Sequence, residues 1–150
     1  MGNINLVNFE NFNFSLKDLK FWGKKYEKSN SRILFVDDQE FPIVENLIEA
    51  GWAVEKINDL SNIDDDRVVR AQIIFVDYKG VGKNLSEKDE GIGVIRALKT
   101  KYRKSKRVIL YSGHNRFTLG HDLKVADNYL PKNADTYEFI EMIESEIKKL

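Results

Sequence analysis

The chain of 150 residues carries 24 basic and 24 acidic side chains, no cysteine and 42% apolar residues. That size suits one compact domain with a real core, and the balanced charge leaves no footprint for nucleic acid or an anionic membrane. Without cysteine there is no disulfide framework, thiolate zinc site or cysteine nucleophile, and a cytoplasmic location is expected.

No apolar run nears the roughly 18 residues of a membrane-crossing helix. The N-terminus lacks the basic-then-apolar layout of a signal peptide, and Leu6 stands where myristoylation on Gly2 needs Ser or Thr. Asn and Phe alternate through residues 8–14, and Ser15 is the expected N-cap of a helix over about Leu16–Glu27. Lys24–Ser31 is polar and reads as a connection. Residues 1–30 are therefore expected to form an extension, and residues 31–150 a domain. Phe9, Phe12, Phe14 and Trp22 are expected to pack on that domain, with a homodimer or partner surface as the alternative.

From Arg32 the pattern becomes regular. Ile33–Val36, Ile73–Val76 and Val108–Tyr111 are short, continuous apolar runs, as strands covered by helices on both faces require. Ala53–Ile57 and Asn128–Leu130 read as weaker strands. Between them, Pro42–Ala50, Gly91–Tyr102 and about Asp135–Lys149 repeat apolar residues at helical spacing, with Gly51 stopping the first. Residues 61–70 and 116–126 are candidate short helices. Five strands alternating with helices predict a doubly wound α/β domain with a parallel sheet.

In such sheets ligands collect at the carboxyl ends of the strands. Those ends carry Asp37 and Asp38, Asp77 and Ser112, and the fifth strand runs into Pro131 and Lys132. Three carboxylates brought together need a cation between them. With oxygen donors alone at hand, Mg²⁺ is the fitting ion. An aspartate can act as a nucleophile and form an acyl phosphate, with Ser112 and Lys132 placed to engage phosphoryl oxygens. Each residue alone has a plainer reading: the Asp pair as a helix N-cap, Asp77 as structural. The four strand ends together carry the inference. His114 and His121 read as surface residues of a polar loop.

The stretches "ILFVDDQE", "AQIIFVDYKG", "RVILYSGH" and "ADNYLPK" resemble the response-regulator receiver family over about Arg32–Leu150. The resemblance implies a flavodoxin-like five-stranded sheet of order 2-1-3-4-5 with helices on both faces. It implies a signalling switch rather than an enzyme, with a histidine kinase or phosphotransfer protein as phosphodonor and output through protein contacts. Asp77 resembles the phosphoacceptor, Asp38 the direct Mg²⁺ ligand and Asp37 the second acidic residue. The Lys79 carbonyl is expected to complete the metal shell. Ser112 resembles the hydroxyl that turns toward the phosphoryl group, Lys132 its basic partner, and Tyr129 the aromatic that follows Ser112.

Three departures stand out. Asn133 follows Lys132 where the family usually has a cis proline, so a trans peptide is expected there, and the aim of Lys132 is left open by the sequence. The loop from Tyr78 to about Glu90 is longer than usual and reads as solvated and mobile. The first helix is about one turn short. These departures motivate the alternative of a pseudo-receiver, an interaction module without phosphate chemistry. An aspartate-nucleophile phosphohydrolase is disfavoured, because Asp37 and Asp38 are adjacent rather than one residue apart.

Overall fold

The computed structural model describes residues 25–150. Five strands, β1 (Arg32–Val36), β2 (Ala53–Ile57), β3 (Ile73–Asp77), β4 (Arg107–Ser112) and β5 (Asn128–Pro131), form one sheet of order 2-1-3-4-5. Every adjacent pair is parallel. The helices are α1 (Pro42–Glu49), α2 (Asp66–Arg70), α3 (Gly91–Tyr102), α4 (Arg116–Leu119) and α5 (Thr136–Ile147). This is the doubly wound fold that the sequence predicts.

Strand periodicity sorts the apolar residues into two cores. Leu34, Val36, Ile74, Val76, Val108 and Leu110 point to one face, where they meet Val68 of α2, Ile92, Val94, Ile95 and Leu98 of α3, and Leu119 of α4. Ile33, Phe35, Ile73, Phe75, Ile109 and Tyr111 point to the other, against Ile43 and Leu47 of α1 and Phe139, Ile143 and Ile147 of α5. A side-chain period of two, with a helix layer on each side, explains why these strands are apolar throughout. On α1 only Ile43 and Leu47 are buried; Ile48, expected on the same stripe, is half exposed. Helix α5 starts with a capping box, Asp135 accepting from Glu138 N–H and Glu138 from Asp135 N–H.

Most of the expected N-terminal extension, including the aromatic cluster and the start of its helix, lies outside the described residues. Within them, Lys25–Glu27 is not helical, so the expected helix does not reach Glu27. Residues 28–30 turn instead, the Lys28 ammonium bonding the Ala50 carbonyl and lying over the Trp52 ring.

The loop after β3 exposes Lys83, Glu87 and Lys88, as expected of a solvated segment, and is anchored at its start. Val81 is fully buried in the α3 face core, and Gly82 N–H donates to Asp59 Oδ1 at 2.5 Å. The Val81–Gly82 pair, ahead of the charged stretch from Lys83 to Glu90, fixes the path. Residues 116–126 split into α4 and a 3₁₀ turn over Gly120–Lys124.

Candidate functional site

The sheet register builds the site. Val36 pairs with Val76, Asp77 with Tyr111, and Ser112 with Pro131. Asp37, one step past β1, therefore lies level with Asp77, and Lys132 one step past the level of Ser112. Strand alternation turns Asp37, Asp77 and Tyr111 the same way as Phe35 and Phe75. Those two rings stack at 4.6 Å, and Tyr111 meets Phe35 edge-on at 5.7 Å. The acidic pair thus stands on an aromatic floor.

Asp37 is fully buried, and both of its oxygens are hydrogen-bonded. Its Oδ1 accepts from Gln39 N–H at 2.9 Å; its Oδ2 accepts from Tyr111 Oη at 2.7 Å and Lys132 Nζ at 3.0 Å. Lys132 Nζ also donates to Asp77 Oδ2 at 3.0 Å and lies over the Tyr111 and Phe41 rings. One ammonium therefore bridges two carboxylates. Among the described residues no peptide bond is cis. The peptide at Asn133 is trans, as expected, and Lys132 still reaches both carboxylates. Lys132 N–H donates to the Ser112 carbonyl, and Ala134 N–H to the Pro131 carbonyl. That tight turn, begun by Pro131, directs the lysine inward with Asn133 rather than a proline after it.

The two buried carboxyls titrate apart. Burial pushes Asp77 up to about 6; Lys132 opposes the shift and neighbouring Asp37 adds to it. Burial also acts to raise Asp37, but the Gln39 N–H, Tyr111 and Lys132 bonds outweigh it and hold the group below its ordinary value. Burial acts to lower Lys132, and its two carboxylate partners reverse that to a net rise. Shared charge with incomplete compensation is what perturbs such pairs.

Asp37, Asp38 and Asp77 offer ligand oxygens within 4.8 Å of one another. Gly80 approaches this group closely. At φ +85° it faces Asp38, and a Cβ there would lie 2.7 Å from Asp38 Oδ2. A converging set of hard oxygens, one solvent-facing, fits a divalent cation that keeps waters. Asp38, Asp77, Ser112, His114 and Lys132 share an open cleft of about 440 Å³. The Lys79 side chain lies on its rim and pairs with Glu90 at 3.1 Å.

Ser112 is buried, and its Oγ accepts from His114 N–H at 2.9 Å and lies 3.2 Å from His114 Nδ1. Tyr129 is buried too, donating to the His114 carbonyl at 2.8 Å. His114, read from sequence as a surface residue, is exposed yet also lines the cleft. Its spacing of two from Ser112 was the available signal. Tyr111 was read only as an apolar strand residue, although a hydroxyl on a buried strand beside Asp77 calls for an acceptor.

No protein-family model and no curated protein sequence matches the chain. Solved structures do. A response regulator from Burkholderia pseudomallei, bearing a phosphorylated aspartic acid, a calcium ion and citrate, is 21% identical with a TM-score of 0.57, covering 79% of this chain and 69% of that one. A CheY-like receiver domain protein from Methanospirillum hungatei is 22% identical, with a TM-score of 0.62 and coverage of 79% and 94%. The BeF3-activated receiver domain of Klebsiella pneumoniae RstA is 15% identical, with a TM-score of 0.64 and coverage of 78% and 98%. The chain has the receiver-domain fold.

Proposed function

We propose that this protein is a phosphoacceptor signalling switch, phosphorylated on Asp77. The observation that carries the reading is Lys132 Nζ bridging Asp37 and Asp77 at 3.0 Å each, in a cleft shared with Asp38 and Ser112. An Asp77 carboxylate oxygen would attack phosphorus. The new O–P bond forms as the bond to the donor breaks, and the donor departs with the electron pair. Lys132 would neutralise the phosphoryl oxygens and Ser112 would hydrogen-bond them. Asp37, Asp38, Asp77 and the Lys79 carbonyl would hold Mg²⁺, which when bound neutralises phosphoryl charge.

On this reading residues 31–150 form a receiver domain and residues 1–30 an extension that is a candidate homodimer surface. The phosphodonor is a histidine kinase or phosphotransfer protein, in the cytoplasm. The phosphoryl group would draw Ser112 toward it, and Tyr129 would follow. A partner protein would then read the face of α4, β5 and α5. The role is that of a switch rather than an enzyme with turnover.

Intact-mass spectrometry after incubation with acetyl phosphate and Mg²⁺ tests the reading. One phosphate adduct is expected, dependent on Mg²⁺ and lost in Asp77→Ala. No adduct on the folded protein would transfer the assignment to a pseudo-receiver that works by unphosphorylated contacts.

A further inference from the structure

Ser112 has one hydroxyl proton to give, and His114 is arranged around it. The His114 N–H already donates to Ser112 Oγ at 2.9 Å, so an oxygen lone pair is used there. The His114 Nδ1 stands 3.2 Å from the same oxygen. With the ring proton on Nε2, Nδ1 accepts the Ser112 proton.

His114 is itself held from two sides. Its carbonyl takes the Tyr129 hydroxyl at 2.8 Å. Its ring meets the edge of Tyr78 at 5.6 Å, and the Tyr78 hydroxyl donates to Asp122 at 3.0 Å. An exposed histidine with a located ring and a located carbonyl is a fixed bracket on Ser112.

We propose that His114 is a positioning residue whose imidazole holds the Ser112 hydroxyl, so that phosphoryl capture at Asp77 competes with the Ser112–His114 hydrogen bond. The inference rests on Asp77 being the acceptor. It deepens that reading by placing a brake within the same cleft. Because a hydroxyl proton serves one acceptor at a time, a phosphoryl oxygen gains Ser112 only as His114 loses it. The brake is worth one neutral hydrogen bond, a factor of about 2 to 10 in rate.

The test measures initial rates of adduct formation by intact mass, across acetyl phosphate concentrations with Mg²⁺ saturating. His114→Leu is expected to raise the rate constant by that factor. His114→Asn, which keeps a hydrogen-bonding atom at the δ position, is expected to restore the wild-type rate. In a Ser112→Ala background, His114→Leu is expected to change nothing. Equal rates for His114→Leu and wild type would overturn the inference, as would an undiminished effect without Ser112.

A second readout needs no phosphate. Ser112→Ala is expected to shift the His114 Nδ1 resonance in ¹⁵N spectra and leave His121 in place; an unmoved His114 signal would overturn the inference. Absence of any adduct on the wild type would instead bring down the Asp77 assignment, and the brake with it.

Discussion

Gly91 rests on the backbone of Asp77: a Cβ at position 91 would lie 1.9 Å from the Asp77 carbonyl oxygen. The start of α3 can therefore close on the end of β3 only through glycine. Gly91→Ala is expected to destabilise the fold by about 1–3 kcal/mol through overpacking, although alanine is the better helix former. At Gly113 an added Cβ would meet nothing within 4 Å, and Gly113→Ala is expected to stay within about 0.5 kcal/mol of wild type. Urea midpoints of the two variants decide this; a shared midpoint would contradict the close approach at Gly91.

Lys106 is buried at the amino end of β4, the end of the sheet opposite the cleft. Its Nζ donates to the Val69 and Ala71 carbonyls at 2.7 and 2.6 Å and lies over the Tyr102 ring. Burial lowers its pKa from the ordinary 10.5 to about 8. Between those values the unfolded chain binds more protons than the folded one, so this group makes stability rise with pH from about 8 to 10.5. Lys106→Met is expected to remove that rise and to leave the two carbonyls without their donor. Thermal melts of both proteins through the alkaline window, compared as a difference, check the slope.

How much of this was legible beforehand follows the reach of each signal. Three apolar runs ending in Asp37, Asp77 and Ser112 were visible because a buried parallel strand needs apolar residues on both faces and a site needs polar ones at its end. The reach of Lys132 was not legible, because its aim depends on the turn from Pro131 to Ala134 and on the Ser112 carbonyl, a partner twenty residues away. Val81 was hidden among charges, and its burial depends on contacts with α3. The tie between Tyr111 and Asp37 joins residues 74 apart, so only the sheet register discloses it.

Glu146 is fully buried on α5, and three donors meet it: Arg107 Nε at 2.6 Å, Asn128 Nδ2 at 2.9 Å and Lys149 Nζ at 2.9 Å. Burial acts to raise its pKa, but these bonds outweigh it and the net shift is downward. A depressed carboxyl contributes stability above its unfolded pKa, and that contribution is lost as pH falls through the folded value. Glu146→Ala is expected to cost about 1–3 kcal/mol near neutral pH, because Asn128 loses its acceptor while Arg107 keeps Asp127 at 3.5 Å. The variant is also expected to show a shallower loss of stability on acidification. Denaturant midpoints from pH 7 down to pH 3 test both; parallel curves would assign Glu146 no such role.

The approach of Gly80 to Asp38 ties backbone shape to the proposed cation site. At φ +85° an L-residue is strained, and its Cβ would press on both Asp38 oxygens, at 2.7 and 2.8 Å. Asp38 is exposed and can swing away, so Gly80→Ala is expected to fold, with a loss of about 1–3 kcal/mol from the strained backbone. The displaced carboxylate would no longer converge with Asp37 and Asp77. Mg²⁺ affinity is therefore expected to fall by about 10- to 100-fold, the usual effect of disturbing a ligand's support. Calorimetric Mg²⁺ titration of the two proteins measures this directly. Unchanged affinity in a folded Gly80→Ala protein would remove Asp38 from the proposed metal ligands and leave Asp37 and Asp77 to account for any binding.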